Sequence, residues 1–179
     1  MVPFGANLDH EMPLEEIKNN LSFKPMTPIR LLFMGVNWER KGGGQALAVA
    51  RELMKRGLKT ELHIVGCEIP AYERESATNT SWIKHHGFIS KSSAPERQKL
   101  NDLFLKSHFF ILPTQADCAP VVFAEASSFG LPILTTDVGG ITTQVVNGKN
   151  GFTFPSERAP NSYADVIERL PRLGCLYYY

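Results

Sequence analysis

A doubly wound parallel α/β sheet of about six strands, Rossmann-like with helices on both faces, is the fold this sequence predicts. Three observations lead there. Short, largely apolar runs such as Leu31–Met34 and Leu62–Val65 read as strands covered on both sides rather than strands with one wet face. Stretches of helical spacing alternate with those runs, which favours strand–helix–strand units over hairpins. Glycine or proline then follows the strand ends, at Gly35, Gly87 and Pro113, where a chain leaves a sheet for a loop.

The elements follow in order. Leu31–Met34 enters a glycine-bearing loop, and Ala46–Arg56 places Leu47, Ala50, Leu53 and Met54 on one helical face before Gly57 caps it. Leu62–Val65 is a second strand and Trp82–His86 a third. Glu96–Lys106 is amphipathic through Leu100, Leu103 and Phe104. His108–Leu112 is a fourth strand, stopped by Pro113. Val121–Phe129 is a helix ended by Gly130 and Pro132, and Pro132–Thr135 a fifth strand. Ile141–Val146 reads as a short helix, Gly151–Phe154 as a sixth strand and Ser162–Leu170 as the last helix. Residues 1–28 carry four prolines and little periodicity, so they read as a linker, with the folded domain over 29–179. Right-handed crossovers place the loops after the strands at one edge of the sheet, where ligands bind in such folds.

At 179 residues, 43% hydrophobic and 21% charged, the chain suits one ordinary globular domain. A net charge of +1 argues against a broad nucleic-acid footprint. Cys67, Cys118 and Cys175 are odd in number and lack metal-ligand spacing, as expected of a reducing compartment. No signal peptide or bilayer-length apolar run is read, so a cytoplasmic location is expected.

The stretch Pro113–Gly140 is the most informative. Asp117 and Glu125 have seven residues between them across the start of the Val121–Phe129 helix. A helix N-terminus offers unpartnered N–H groups and a positive dipole end, hence an anion site. Flanking carboxylates suit the hydroxyls of whatever carries the anion, so a phosphate attached to a sugar fits better than free phosphate. Arg40 and Lys41 lie between a strand and the Gly42–Gly44 run, placed to neutralise a diphosphate, with Gly42 and Gly43 admitting close backbone approach. The alternative is a solvated basic turn. The Gly35–Lys41 spacing is not that of a Walker A loop.

These motifs resemble the retaining glycosyltransferases of GT-B fold, in particular glycosyltransferase family 4. Pro113–Gly140 is similar to the family's E-x7-E region, Gly35–Gly43 to its first strand-to-helix loop, Glu125–Pro132 to its E-A-x-x-x-G-x-P signature, and Gly139–Gly151 to its G-G-x-x-E-x-x-x-x-G-x-N-G run. The matches span roughly residues 29–155 in the right order.

The resemblance implies a donor-binding domain for a nucleotide-diphosphate sugar, UDP-, GDP- or ADP-linked, and no metal or other cofactor. In that frame Glu125 holds ribose hydroxyls, while Arg40 and Lys41 stabilise the departing diphosphate. Asp117 stands where the family usually has Glu, and contacts the transferred sugar. Gly35, Gly42 and Gly43 line the phosphate loop, and the amides of Cys118, Ala119 and Val121 face the phosphates or sugar. Phe88, in Gly87-Phe88-Ile89, marks the loop that holds the base, with a core role as its alternative. Val36 replaces a basic residue common in the family, and Thr143 replaces a Glu, which suggests a capping role. His85 and His86 read as strand-end structure. Gly139 and Gly140 read as a turn requiring positive φ. Trp38 is either lid or core. Cys118 has no base beside it in sequence, against a nucleophilic role.

Val2–Asn7 looks like the family's inter-domain linker motif, so an N-terminal acceptor domain is expected outside this chain. The aromatic end, Leu173–Tyr179, suggests truncation. The isolated domain is expected to bind donor without transferring sugar, and any peripheral membrane association falls to the full-length protein. A sugar-nucleotide epimerase of the same fold would need acid and base residues not evident here. A non-catalytic, flavodoxin-like module would bind no nucleotide.

Overall fold

The computed structural model describes Pro13, Glu15, Ile17 and residues 24–75, 80–157 and 159–170. The linker motif at Val2–Asn7, the end at Leu173–Tyr179 and Cys175 lie outside the described residues. Strands β1 (Ile29–Met34), β2 (Thr60–Val65), β3 (Ile83–His85), β4 (Phe109–Leu112), β5 (Ile133–Thr136) and β6 (Gly151–Phe154) form one sheet in the order β3-β2-β1-β4-β5-β6. All neighbouring pairs are parallel, with Leu31 opposite both Leu62 and Phe109. The doubly wound α/β sheet of the sequence reading is therefore present.

Helices α1 (Gly43–Lys55), α2 (Ala71–Glu75), α3 (Ala94–Lys106), α4 (Val121–Ser128) and α5 (Pro160–Arg169) complete the fold, with a 3-10 turn at Ile141–Thr143. Every residue of β4 and β5 is buried, as strands sandwiched between helical layers must be. One core runs through both layers, from Leu31, Phe33, Leu47 and Leu53 to Phe104, Phe110, Phe123 and Tyr163. Arg56, at the end of α1, clamps α5 by pairing with Asp165 at 2.7 Å and Glu168 at 3.4 Å.

Several boundaries differ from the sequence reading for identifiable reasons. α3 and α5 begin two residues earlier than their apolar periodicity, because Pro95 and Pro160 suit the first helical turn. α2, not anticipated, is a single short turn after Pro70, whose carbonyl accepts from the Glu73 amide at 3.0 Å. The helix expected over Ile141–Val146 stops at Thr143. There the Asn150 side chain replaces the helix ladder, accepting from the Val146 amide and donating to the Gln144 carbonyl, both at 2.8 Å. Within the stretch read as linker, Glu15 and Ile17 have helical backbone and Ile17 is buried.

His108 precedes β4 rather than starting it, and locks β1 to its neighbour. Its amide donates to the Arg30 carbonyl at 2.8 Å, and its Nδ1 accepts from the Arg30 amide at 2.9 Å. Nε2 lies 3.0 Å from the Pro25 carbonyl, so the ring must be neutral with its proton on Nε2. Burial, with Lys24 and Arg30 alongside, pushes its pKa from 6.5 down to about 4. The folded value lies below the unfolded one, so this contribution is complete above pH 6.5 and is lost as pH falls toward 4. It is worth about 3 kcal/mol across that window. The urea midpoint should therefore drop between pH 7 and pH 4.5. His108→Gln should be less stable at pH 7 and show a shallower slope, with part of the remainder due to His86, also lowered to about 4 by burial, and to His63, lowered by burial as well. A slope identical to that of the parent would contradict the assignment.

Candidate functional site

The chain reverses its winding direction between β1 and β4, and the loops following those two strands flank the switch point. The loop after β1 is tightly wound. The Lys41 amide donates to the Asn37 carbonyl at 3.0 Å, the Gly42 amide to the Glu39 carbonyl at 3.0 Å, and the Asn37 side chain accepts from the Arg40 amide at 2.8 Å. Its glycines have packing reasons. A Cβ on Gly35 would lie 2.7 Å from Cγ of Lys41, so the lysine stem crosses directly over it. Gly42 has φ of 76°, and a Cβ there would lie 1.9 Å from the Pro113 carbonyl oxygen. A Cβ on Gly43 would collide with the Trp38 ring. Gly42 and Gly43 thus admit protein neighbours at the positions where the sequence reading placed an approaching phosphate. Trp38 resolves as core, 4% exposed and 5.6 Å from Phe33.

The lysine stem points Lys41 across the switch point to Asp117, with Nζ 2.5 Å from Oδ2 and both side chains largely buried. Thr114 Oγ1 donates to the same oxygen at 3.1 Å. Arg40 stands farther out, 3.8 Å from Oδ2 and half-exposed, while donating to the Ala116 carbonyl at 3.1 Å. The β1 and β4 loops are also joined through the Arg40 carbonyl, which accepts from the Gln115 amide at 2.8 Å and lies 3.0 Å from Thr114 Oγ1, within reach of that hydroxyl when its single proton turns away from Asp117. The sequence reading grouped Arg40, Lys41 and Asp117, and the structure brings all three together. It missed fully buried Thr114, whose role depends on a fold contact and leaves no spacing signal.

Beyond Asp117 the chain enters α4. Among the described residues, the amides of Cys118, Ala119 and Val121 make no backbone hydrogen bond, and Cys118 and Val121 are exposed. Pro120 occupies the capping position with extended backbone. Gly139, at φ of 57°, lies against the Asp117 carbonyl and Gly140 against that of Cys118, so the diglycine turn buttresses this segment. Thr143 Oγ1 donates to the Gly140 carbonyl at 2.6 Å and steadies the turn from within, in place of the capping role expected of it.

Glu125 lies one turn into α4 and is only 2% exposed. An exposed helix glutamate is therefore excluded. Its Oε1 accepts a short hydrogen bond from Nζ of Lys91, a residue of the loop after β3. The sequence reading missed Lys91. The signal available was topological, since that loop must reach the same edge of the sheet as α4. The same loop presents Phe88 at 72% exposure, which removes the core alternative for that residue. Val36 is exposed as well. His85 Nε2 lies 2.8 Å from the Cys67 carbonyl, and His86 Nε2 lies 3.0 Å from His63 Nδ1, so both histidines serve the end of the sheet. Burial pushes the Cys67 thiol up to about 11. Among the described residues no helix is long and apolar enough to cross a membrane.

The edge thus offers a run of open amides flanked by two acid–lysine pairs, beside an exposed aromatic ring. The comparisons with known proteins agree on one family. The model of the glycosyl transferases of group 1 matches residues 15–173. The D-inositol 3-phosphate glycosyltransferase of Nocardia farcinica is 25% identical over 191 residues, covering 97% of this chain and 41% of the relative. That of Arthrobacter sp. is 26% identical over 155 residues, covering 82% and 35%. Among solved structures, the pneumococcal O-GlcNAc transferase GtfA, in complex with UDP and GlcNAc, aligns with a TM-score of 0.68 at 19% identity, over 87% of this chain and 31% of that one. The lipopolysaccharide outer core galactosyltransferase WaaB aligns with a TM-score of 0.67 at 19% identity, over 98% and 46%. The chain therefore spans less than half the length of these proteins, and the structural likeness bears on the fold, which is that of GT-B glycosyltransferases. Because the family match runs through most of its length, the chain belongs to the group 1 glycosyl transferases.

Proposed function

We propose that this chain is the donor-binding part of a retaining glycosyltransferase, taking a UDP-, GDP- or ADP-linked sugar, with the acceptor held by a further, N-terminal domain. The observation that carries the reading is the run of open amides at Cys118, Ala119 and Val121, set beside the Arg40–Lys41–Asp117 cluster at the switch point. Open N–H groups at a helix start, with two cations nearby, are suited to a diphosphate. As the bond from the anomeric carbon to the diphosphate breaks, negative charge grows on the leaving group while the sugar gains oxocarbenium character. Arg40, Lys41 and the amides stabilise that charge. Glu125 takes the ribose hydroxyls, Phe88 meets the base, and Asp117 faces the transferred sugar. The solved GtfA structure contains UDP, which makes UDP the first nucleotide to try.

Calorimetric titration of the chain with UDP, GDP and ADP tests this. One nucleotide should bind, and Glu125→Gln should weaken it by about ten- to a hundredfold, the worth of hydrogen bonds to a charged group. Binding of none of the three by the parent chain would overturn the donor reading and favour a non-catalytic module. Binding undisturbed in Glu125→Gln would remove the ribose role of that residue.

A further inference from the structure

The donor reading leaves Lys91 without a task, yet its side chain reaches from one element to the acid of another. Lys91 lies in the loop between β3 and α3, and its ammonium donates to Oε1 of Glu125 on α4. The carboxylate is 2% exposed, whereas the lysine side chain is 35% exposed. Taking a carboxylate out of water is costly unless a counter-charge and hydrogen bonds replace the lost solvation. Among the described residues that compensation comes from Lys91 alone, since Arg40 and Lys41 are committed to Asp117.

The loop is built to hold the lysine. The Lys91 carbonyl accepts from the Arg97 guanidinium at 2.8 Å, which ties it to the first turn of α3. Ser90 Oγ and Ser92 Oγ lie 2.7 Å apart, and the Ser92 amide donates to Ser90 Oγ at 3.1 Å, tightening the backbone on both sides. Ile89 anchors the same stretch in the core, and Phe88 stands exposed beside it. One hydrogen-bonded loop therefore carries both the exposed Phe88 ring and the cation gripping Glu125.

Resting on the donor reading, we infer that Lys91 is a positioning residue for the ribose. It holds Oε1 of Glu125, fixes the orientation of the carboxylate, and presents Oε2, which has no partner among the described residues, to the sugar hydroxyls. Because an ammonium has three donors, Lys91 can keep this grip while a bound hydroxyl also approaches it. Lys91 acts through Glu125, so its effect on binding must depend on the ribose hydroxyls being present.

That dependence supplies the test. The parent chain, Lys91→Met, Lys91→Arg, Glu125→Gln and the Lys91→Met/Glu125→Gln double variant are titrated with UDP, GDP and ADP and with their 2′,3′-dideoxy counterparts. Thermal unfolding is followed in parallel. For the nucleotide that binds, Lys91→Met should weaken the ribose form about tenfold and the dideoxy form less than about twofold. Lys91→Arg, which keeps the charge and adds reach, should restore most of the loss, and the double variant should bind no worse than Glu125→Gln. An unchanged affinity in Lys91→Met would overturn the inference. So would equal losses for the ribose and dideoxy forms, which would mark a phosphate contact or a general structural role. If the parent chain binds none of the nucleotides, the donor reading fails and the inference falls with it. If it binds and only Glu125→Gln is impaired, the donor reading stands and the role of Lys91 does not.

Discussion

Replacing Gly42 with alanine should leave the domain largely unfolded, whereas the same change at Gly57 should be a mild perturbation. Both residues have positive φ, 76° and 83°, so both variants suffer the left-handed backbone cost of about 1–2 kcal/mol. They differ in what the new methyl meets. At Gly57 nothing lies within 4 Å, while at Gly42 the Cβ would sit 1.9 Å from the Pro113 carbonyl oxygen. That oxygen is backbone at the end of a fully buried strand, so it cannot swing aside as a flexible side chain could. Relief would require α1 to separate from β4, opening the core on one side of the sheet. Such a loss is comparable with the roughly 5–15 kcal/mol total stability of a domain. Urea unfolding of the two variants against the parent decides the matter. A Gly42→Ala midpoint as high as that of Gly57→Ala would mean that the loop and strand are not held as closely as the structure places them.

This glycine illustrates what was legible in the sequence. The sheet and its parallel direction were readable because wholly apolar runs such as Phe109–Leu112 have no other comfortable environment, and the observed strand is buried throughout. Helix starts were less readable, because Pro95 and Pro160 lie outside the apolar stripe that marks a helix. The Ile141–Val146 helix failed because Asn150, farther along the chain, supplies the hydrogen bonds that the ladder would have made. Gly42 and Gly43 were correctly singled out, but residue type alone could not say whether a ligand or a protein neighbour needs the space.

The site divides in the same manner. Arg40, Lys41, Asp117 and Glu125 were visible because each lies beside a strand end or helix start, features carried by local sequence. Thr114 and Lys91 were not. Lys91 and Glu125 are joined by a contact across 34 positions, and Thr114 reaches the Arg40 carbonyl across 74. Partners supplied by the fold leave no local trace. They also change the meaning of the local residues, since Lys41 is not an idle cation awaiting phosphate but half of an ion pair.

That pairing predicts opposite consequences for stability and for binding. Lys41→Met removes the counter-charge from Asp117, but Thr114 still donates to it and Arg40, 3.8 Å away and half-exposed, can move in. Asp117→Asn instead leaves the largely buried Lys41 ammonium facing Arg40 with no anion between them. Breaking a buried pair from one side costs about 3–5 kcal/mol, and partial exposure here favours the lower end. Asp117→Asn should therefore be the more destabilising of the two, and the Lys41→Met/Asp117→Asn double variant should recover part of the loss, with a coupling of about 1–3 kcal/mol in urea unfolding. Nucleotide affinity should rank differently. On the donor reading Asp117 competes with the diphosphate for Lys41, so the less stable Asp117→Asn should bind a nucleoside diphosphate about tenfold more tightly, and Lys41→Met about tenfold more weakly. The sugar conjugate should gain less from Asp117→Asn than the free diphosphate does, because the contact of Asp117 with the transferred sugar is lost in the same step. Parallel losses of stability and affinity in both variants would mean that the pair is purely structural and that the diphosphate is held elsewhere on this edge.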